Sequence, residues 1–130
     1  MDLNFQYAHH AHSESETTKN VVRSQAEKAF DDFDWVAEAK KADELQKCSP
    51  TLTILTNGDK ELIWVSAYTN GSTVGFVSEC RFPSEVSKWF GLSKKQGTVS
   101  LDTDGFSIEQ AKRAISLFLD RNFISLREMY

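Results

Sequence analysis

Hydrophobic and polar positions change their spacing twice along the chain, and each spacing predicts a different kind of element. Before residue 48 the apolar positions recur at helical intervals, and from residue 51 to 78 they alternate as in strands. Helical intervals return near the C-terminus. We therefore expect an α+β protein, in which an antiparallel β-sheet meander packs with an N-terminal helical region and a C-terminal helix.

The first residues follow neither spacing clearly. Phe5 and Tyr7 alternate weakly with polar neighbours, which fits a short edge strand as well as an unstructured arm. We expect a loose N-terminal arm over residues 1–14, followed by a single α+β domain over residues 15–130.

Two helices are predicted before residue 48. Ser13 and Glu16 have the spacing of a capping box, so we expect the first helix to begin there. Its buried face is formed by Val22, Ala26, Ala29, Phe30 and Phe33. The second helix, over residues 35–47, carries few large apolar residues and is expected to lie against the body of the protein.

Residues 51–78 predict three antiparallel strands, because Asn57-Gly58 and Asn70-Gly71 both favour two-residue hairpin turns. The middle strand places alternate side chains on opposite faces of the sheet. Leu62, Trp64 and Tyr68 share one face, and Ile63, Val65 and Ala67 share the other. Both faces are apolar, so we expect each face either to be covered by other elements of the protein or to bind a partner.

The remaining sequence predicts further elements. Pro83 fits the first turn of a short helix whose apolar face is Val86, Trp89 and Phe90, and residues 98–101 fit a fourth strand. Ser107 and Gln110 form a second capping box. The helix that follows has a core stripe of Ile108, Ala111, Ile115, Phe118 and Leu119, and residues 123–126 fit a final short strand.

Charge is distributed unevenly. The net charge is −4, and residues 1–50 hold ten acidic and six basic residues, whereas residues 51–130 hold nine of each. Around residues 27–38 the only base is Lys28. A nucleic-acid-binding protein normally shows the opposite sign, so we expect no nucleic-acid partner. Two interpretations of this acidic segment stay open. It is a solvated helix face, or it is a patch whose charge attracts a basic partner protein.

The candidates for catalysis or metal binding are few. All three histidines (His9, His10 and His12) lie in the N-terminal arm, so the body lacks a Ser-His-Asp or Cys-His arrangement. Whether these histidines bind a metal stays open, and no cofactor is expected. Cys48 and Cys80 lack metal-ligand spacing and fit reduced, packed thiols. If this protein were an enzyme, the candidate catalytic residues would be Asp102, Asp104 and Cys80.

No apolar run approaches the roughly 20 residues of a membrane span, and the first residues do not resemble a secretory signal. We expect a cytoplasmic protein that does not act at a membrane.

The order of four segments resembles that of a known family. Three are predicted strands and the last begins the C-terminal helix: Pro50 to Ile54, Trp64 to Tyr68, Thr98 to Leu101 and Phe106 to Ala111. Over residues 50–128 the chain is similar to the first-numbered Imm family, immunity proteins of bacterial polymorphic toxin systems that include inhibitors of deaminase toxins. The resemblance implies a protein without enzymatic activity that binds and blocks a cognate secreted toxin.

Charge and aromatic residues, rather than the family, suggest where such a toxin would bind. An aromatic side chain beside carboxylates is typical of an interface with a basic partner. We expect the toxin-binding residues to be Asp31, Asp32, Asp34, Trp35, Trp64 and Tyr68. The toxin is expected to be basic, and the inhibitor a monomer or homodimer. The alternative is a small-ligand-binding or adaptor module of a secretion system, which would use an apolar pocket.

Overall fold

One antiparallel sheet organises the protein. The computed structural model describes residues 1–11, 14–84 and 97–130, and within them the sheet has the strand order β2-β1-β3-β4-β5-β6. The elements in chain order are β1 (Asp2–Gln6), β2 (Glu16–Thr18), α1 (Arg23–Asp32), α2 (Trp35–Leu45), β3 (Thr51–Thr56), β4 (Glu61–Asn70), β5 (Thr73–Ser84), β6 (Gly97–Phe106), α3 (Ile108–Leu119) and α4 (Phe123–Met129). The predicted α+β class is confirmed.

The meander is also confirmed, since β3, β4 and β5 pair consecutively and β6 extends it. Gly58 and Gly71 both have positive φ in the connections that the Asn-Gly pairs predict, a conformation that glycine adopts without a steric penalty. The first connection has four residues instead of the expected two, because Thr56 pairs with Glu61, and the second loop is Gly71-Ser72, because Asn70 pairs with Thr73. The fourth strand is longer than expected, because β6 continues through the residue before the α3 cap.

The first residues form a sheet strand, which corrects the expectation of a loose arm. β1 lies between β2 and β3 and pairs with both. Leu3 is 4% exposed within the core, and the ring of Phe5 stacks on Phe33 at 5.1 Å. The buried Leu3 and the partly buried Phe5 hold residues 2–6 against the core. The sequence offers little indication of this, because their neighbours in the chain are polar.

The first helix begins later than the sequence predicts. Glu16 lies in β2, and Ser13 is outside the described residues. Val22 precedes α1 as its cap residue and is exposed, while Ala26 and Phe30 are buried as expected. The second helix is confirmed at Trp35–Leu45.

The described helices cover one face of the sheet, so the molecule has two layers. α2 and α3 both contact β4 and β5. Ile63, Val65 and Ala67 of β4 are buried beneath them, whereas Leu62, Trp64 and Tyr68 are only partly buried on the opposite face. The predicted division of β4 into two faces is therefore confirmed, and we call the side without helices the open sheet face.

Two polar side chains buried on the covered face, Glu61 and Ser78, have hydrogen-bond partners. Glu61 is buried, and the Arg121 guanidinium donates to its carboxylate with Nη1–Oε2 at 2.7 Å. Ser78 Oγ donates to the Trp64 carbonyl at 2.9 Å and lies 2.7 Å from the Tyr130 hydroxyl, which therefore acts as the donor to Ser78. These bonds offset the cost of burying polar atoms in the core.

Two C-terminal predictions need correction. Pro83 lies within β5 opposite Thr98 instead of starting a helix, and Val86, Trp89 and Phe90 lie outside the described residues. Residues 123–126 belong to α4 rather than to a strand, because the Asn122 side chain accepts a hydrogen bond from the Ser125 N–H and caps a helix.

The predicted C-terminal helix is confirmed as α3. Ser107 and Gln110 form both bonds of the capping box, as expected. Ala111, Ile115 and Phe118 are buried. Ile108 was expected in the core stripe but is 41% exposed, because it occupies the first position of the helix at its outer edge.

Candidate protein-binding site

Trp35 is a core residue. It is 2% exposed, its Nε1 donates to the Phe30 carbonyl at 3.0 Å, and its ring meets Phe76 edge-on at 5.2 Å. The expectation of Trp35 as a surface hot spot is therefore wrong, because a partner cannot reach a ring sealed between α1 and the sheet. That Trp35 follows the exposed Asp34 in the sequence does not indicate whether its own side chain is buried.

The three neighbouring aspartates are exposed, and each has a partner within the protein. Asp31 forms an ion pair with Lys112 of α3, with Nζ–Oδ1 at 2.8 Å. Asp32 forms one with Lys28, with Nζ–Oδ2 at 2.9 Å. Asp34 caps α2, since its Oδ1 accepts the Ala37 N–H at 3.1 Å. The segment is therefore less negative than its sequence suggests.

A groove opens beside these aspartates, between the α1–α2 junction and the start of α3. Its volume is about 350 Å³. We call it the acidic groove and define it by three apolar and three acidic residues: Phe33, Val36, Ile108, Asp31, Asp34 and Glu109. Val36 is 47% and Ile108 is 41% exposed, so two aliphatic side chains face solvent at the same opening.

A network of polar contacts holds α1 against α3 at the helix ends that are remote from the groove. Arg23 of α1 donates to Asp120 at the end of α3, to Ser116 at 3.3 Å and to Glu27 at 2.8 Å. The hydrogen bonds to Asp120 and Glu27 raise the pKa of Arg23, and the same contact lowers the pKa of Asp120. Arg23 thus ties α1 to α3, the two helices on either side of the groove.

Trp64 and Tyr68 lie on the open sheet face, where the sequence predicts an exposed pair. Trp64 is directly opposite Glu79, which is in turn opposite Asp102. The Tyr68 ring lies over Gly75, where a Cβ atom would come within 2.6 Å of it. The Tyr68 hydroxyl donates to the Asp104 carbonyl at 2.7 Å, so Tyr68 braces β4 against β6.

The predicted binding residues do not form one surface. Asp31, Asp32 and Asp34 belong to the helical layer, whereas Trp64 lies on the face of the sheet from which α2 and α3 are absent. The thickness of the sheet separates them. The expected joint surface of aspartates and tryptophans is therefore replaced by the acidic groove and, separately, by the open sheet face.

The other candidate groups are dispersed. Cys80 is fully buried, and burial together with Glu61 and Glu79 raises the pKa of its thiol to about 12. His10 is 8% exposed, and its Nδ1 accepts the Tyr7 N–H at 2.9 Å. His12 is outside the described residues. Within residues 1–11, 14–84 and 97–130, no group of three or more His, Cys, Asp or Glu is arranged to hold a metal ion.

Sequence reasoning missed Val36, Ile108, Glu109 and Lys112, which complete the groove. Asp31 and Lys112 are 81 positions apart, and only the packing of α1 on α3 brings them together. The one local signal was the Ser107 cap, which placed Ile108 and Glu109 in the first turn of a helix.

Comparison with known proteins gives no relative. No family model, no curated protein and no solved structure matches the chain. In the part of the chain that the structure describes, no helix has both the length and the apolar character needed to cross a bilayer.

Proposed function

We propose that this protein is an immunity protein, which binds a cognate bacterial toxin and neutralises it by covering part of its surface. The observation that carries the proposal is the acidic groove. Exposed aliphatic side chains surrounded by carboxylates are what a basic protein partner needs for a complementary contact. The order of elements, which resembles the Imm family, supports the same function.

The groove is the centre of the proposed interface and only part of it. A stable complex buries roughly 800 Å² on each partner, about a tenth of the 7971 Å² that this protein exposes. The contact therefore extends from the groove onto the neighbouring surfaces of α1, α2 and α3. Val36 and Ile108 supply the apolar centre, and the carboxylates form the polar rim.

Charge gives the proposed complex its association rate. Opposite potentials on two partners accelerate their encounter, and salt weakens this effect. An acidic inhibitor with a net charge of −4 is suited to a basic toxin, such as an enzyme that acts on nucleic acid. To block the toxin, the complex needs only a lifetime longer than the interval between the toxin's encounters with its substrate.

Co-expression tests the proposal. The toxin candidate is any secreted protein that proves to be encoded beside this gene, expressed alone and together with the inhibitor. We expect the inhibitor to restore growth and to co-purify with the toxin domain. The paired substitution Val36→Ser with Ile108→Ser should weaken both effects, and Leu45→Ser with Ile124→Ser, at two exposed aliphatic residues outside the groove, is the matched control.

The proposal fails if the purified protein turns over a substrate of its own. It also fails if native mass spectrometry finds a small molecule bound to every copy while toxicity is unaffected. Those results would favour an enzyme or a ligand-binding module.

A further inference from the structure

We infer that the acidic groove receives an arginine side chain from a basic segment of the toxin. This inference rests on the proposed function and identifies the chemistry of the partner at the same site. The guanidinium would lie at the acidic rim, and its aliphatic stem would lie along Val36 and Ile108.

The protein's own Lys112 shows that the rim holds a cation. Its Nζ lies 2.8 Å from Oδ1 and 3.0 Å from Oδ2 of Asp31, at the mouth of the groove. Both side chains are about half exposed, so this ion pair is solvated and weak. A cation from a partner can therefore compete for Asp31 at little cost.

The rim has carboxylates left over after Lys112 is counted. Asp34 uses one oxygen to cap α2, and Glu109 has no ion-pair partner among the described residues. Three carboxylates against one ammonium leave an excess of two negative charges. The first turns of α2 and α3 each contribute roughly half a positive charge nearby, which reduces this excess without reversing it.

The apolar part of the groove favours arginine over a small cation. The planar guanidinium of arginine also binds carboxylate oxygens in pairs, whereas the ring of Phe33 is already stacked on Phe5 and packed against Trp35. A volume of about 350 Å³ leaves space for one long side chain and its neighbours. A hydrated metal ion would gain nothing from these apolar walls.

A model peptide tests the inference without the toxin. The probe is an amidated alanine-based helix of about 15 residues with arginines four apart, and its control carries glutamates instead. Binding is followed at low salt by backbone amide chemical shifts of the full-length protein. We expect the arginine peptide to shift the amides of Val36, Ile108 and Glu109, and the glutamate peptide to shift none of them.

Two pairs of variants separate the groove from general charge. Lys112→Gln removes the internal competitor and should tighten arginine-peptide binding about threefold, whereas Lys60→Gln, with the same net charge, should change it much less. Asp34→Asn with Glu109→Gln should weaken binding about fivefold, since asparagine still caps the helix. Asp32→Asn with Glu44→Gln is its charge-matched control.

The inference is overturned if the shifts map elsewhere, or if Lys112→Gln binds no more tightly than Lys60→Gln. Equal weakening by the two double variants also overturns it, because that result reflects net charge alone. Such results alongside growth rescue and co-purification would leave the immunity function standing. Peptide binding at the groove without rescue would instead reject the immunity function and retain the arginine site.

Discussion

Cys80 shows how its surroundings determine the behaviour of a single group. Its thiol lies on the covered face of β5, and desolvation is the main cause that raises its pKa from about 9 to about 12. Between these two values the unfolded chain loses the thiol proton while the folded chain keeps it. The folded state then binds more protons, so stability falls as the pH rises through this range.

We therefore predict that alkaline conditions destabilise the protein partly through Cys80. The contribution of the thiol should be complete below pH 9 and should decline towards pH 12. Urea unfolding at several pH values measures it, with Cys80→Ala as the reference that removes the titration. Parallel pH profiles for the two proteins would refute the assignment, as would rapid alkylation of Cys80 in the native state.

Trp35 and Trp64 provide a comparison of two tryptophans with different depths. Trp35→Ala removes a buried ring and its hydrogen bond to Phe30, so it should cost on the order of 3–5 kcal/mol. Trp64 is partly exposed on the open sheet face, and Trp64→Ala should cost clearly less. Denaturant midpoints measure both, and equal losses would contradict the placement of Trp35 in the core.

At the scale of elements, local signals in the sequence were sufficient to predict the hairpins of the meander and the start of the C-terminal helix. The Asn-Gly pairs predicted where both hairpins of the meander turn, although not the four-residue length of the first connection, and the Ser107 capping box predicted the start of α3. These signals work because a hairpin turn and a helix cap are decided by residues adjacent in the chain.

Other elements depend on distant partners, and the sequence did not predict them. β1 is a strand because β3, some 50 positions later, pairs with it. The α4 segment is helical and places Leu126 in the core, although its short apolar run also suits a strand. The candidate site also depends on residues that are distant in the chain. The exposure of Asp31 was predictable, but its ion-pair partner Lys112 belongs to another helix.

The capping box of α3 makes a quantitative prediction. Ser107 Oγ accepts the Gln110 N–H at 3.2 Å, and the Gln110 side chain accepts the Ser107 N–H at 2.9 Å. Ser107→Ala should lower the free energy of unfolding by about 1 kcal/mol, and Ser107→Asp, which keeps an acceptor, should lower it much less. Thermal unfolding by circular dichroism tests both, and equal effects would exclude the cap as the cause.

For the whole molecule, β1 joins β2 to the meander, because it pairs with both β2 and β3. Leu3→Asp places a charge among buried side chains opposite Ile54 and should cost at least about 3 kcal/mol. Asn4→Asp, one position later on the open sheet face, is the control and should cost clearly less, because it changes only the exposed hydrogen bonds of Asn4 to Ser15 and Thr17. If Leu3→Asp unfolds at the wild-type urea concentration, the first residues are an arm after all.

The charge of the groove leads to a prediction for the complex. Asp31→Asn with Asp34→Asn should slow association with a basic toxin and flatten its salt dependence, since long-range attraction acts mainly on the association rate. Asp32→Asn is the control within the same segment, because Asp32 pairs with Lys28 outside the groove. Stopped-flow kinetics measure both, and identical rates for all three proteins would exclude the groove from the encounter.

The place of β1 beside β3 has a consequence for biosynthesis. Residues 2–6 leave the ribosome before the strand with which they share their longer ladder, because β3 is translated some 50 residues later. At about 5–20 residues per second, a nascent chain waits roughly 3–10 seconds with Leu3 and Phe5 uncovered. A cell that depends on prompt production of this protein would therefore benefit from a chaperone at the ribosomal exit.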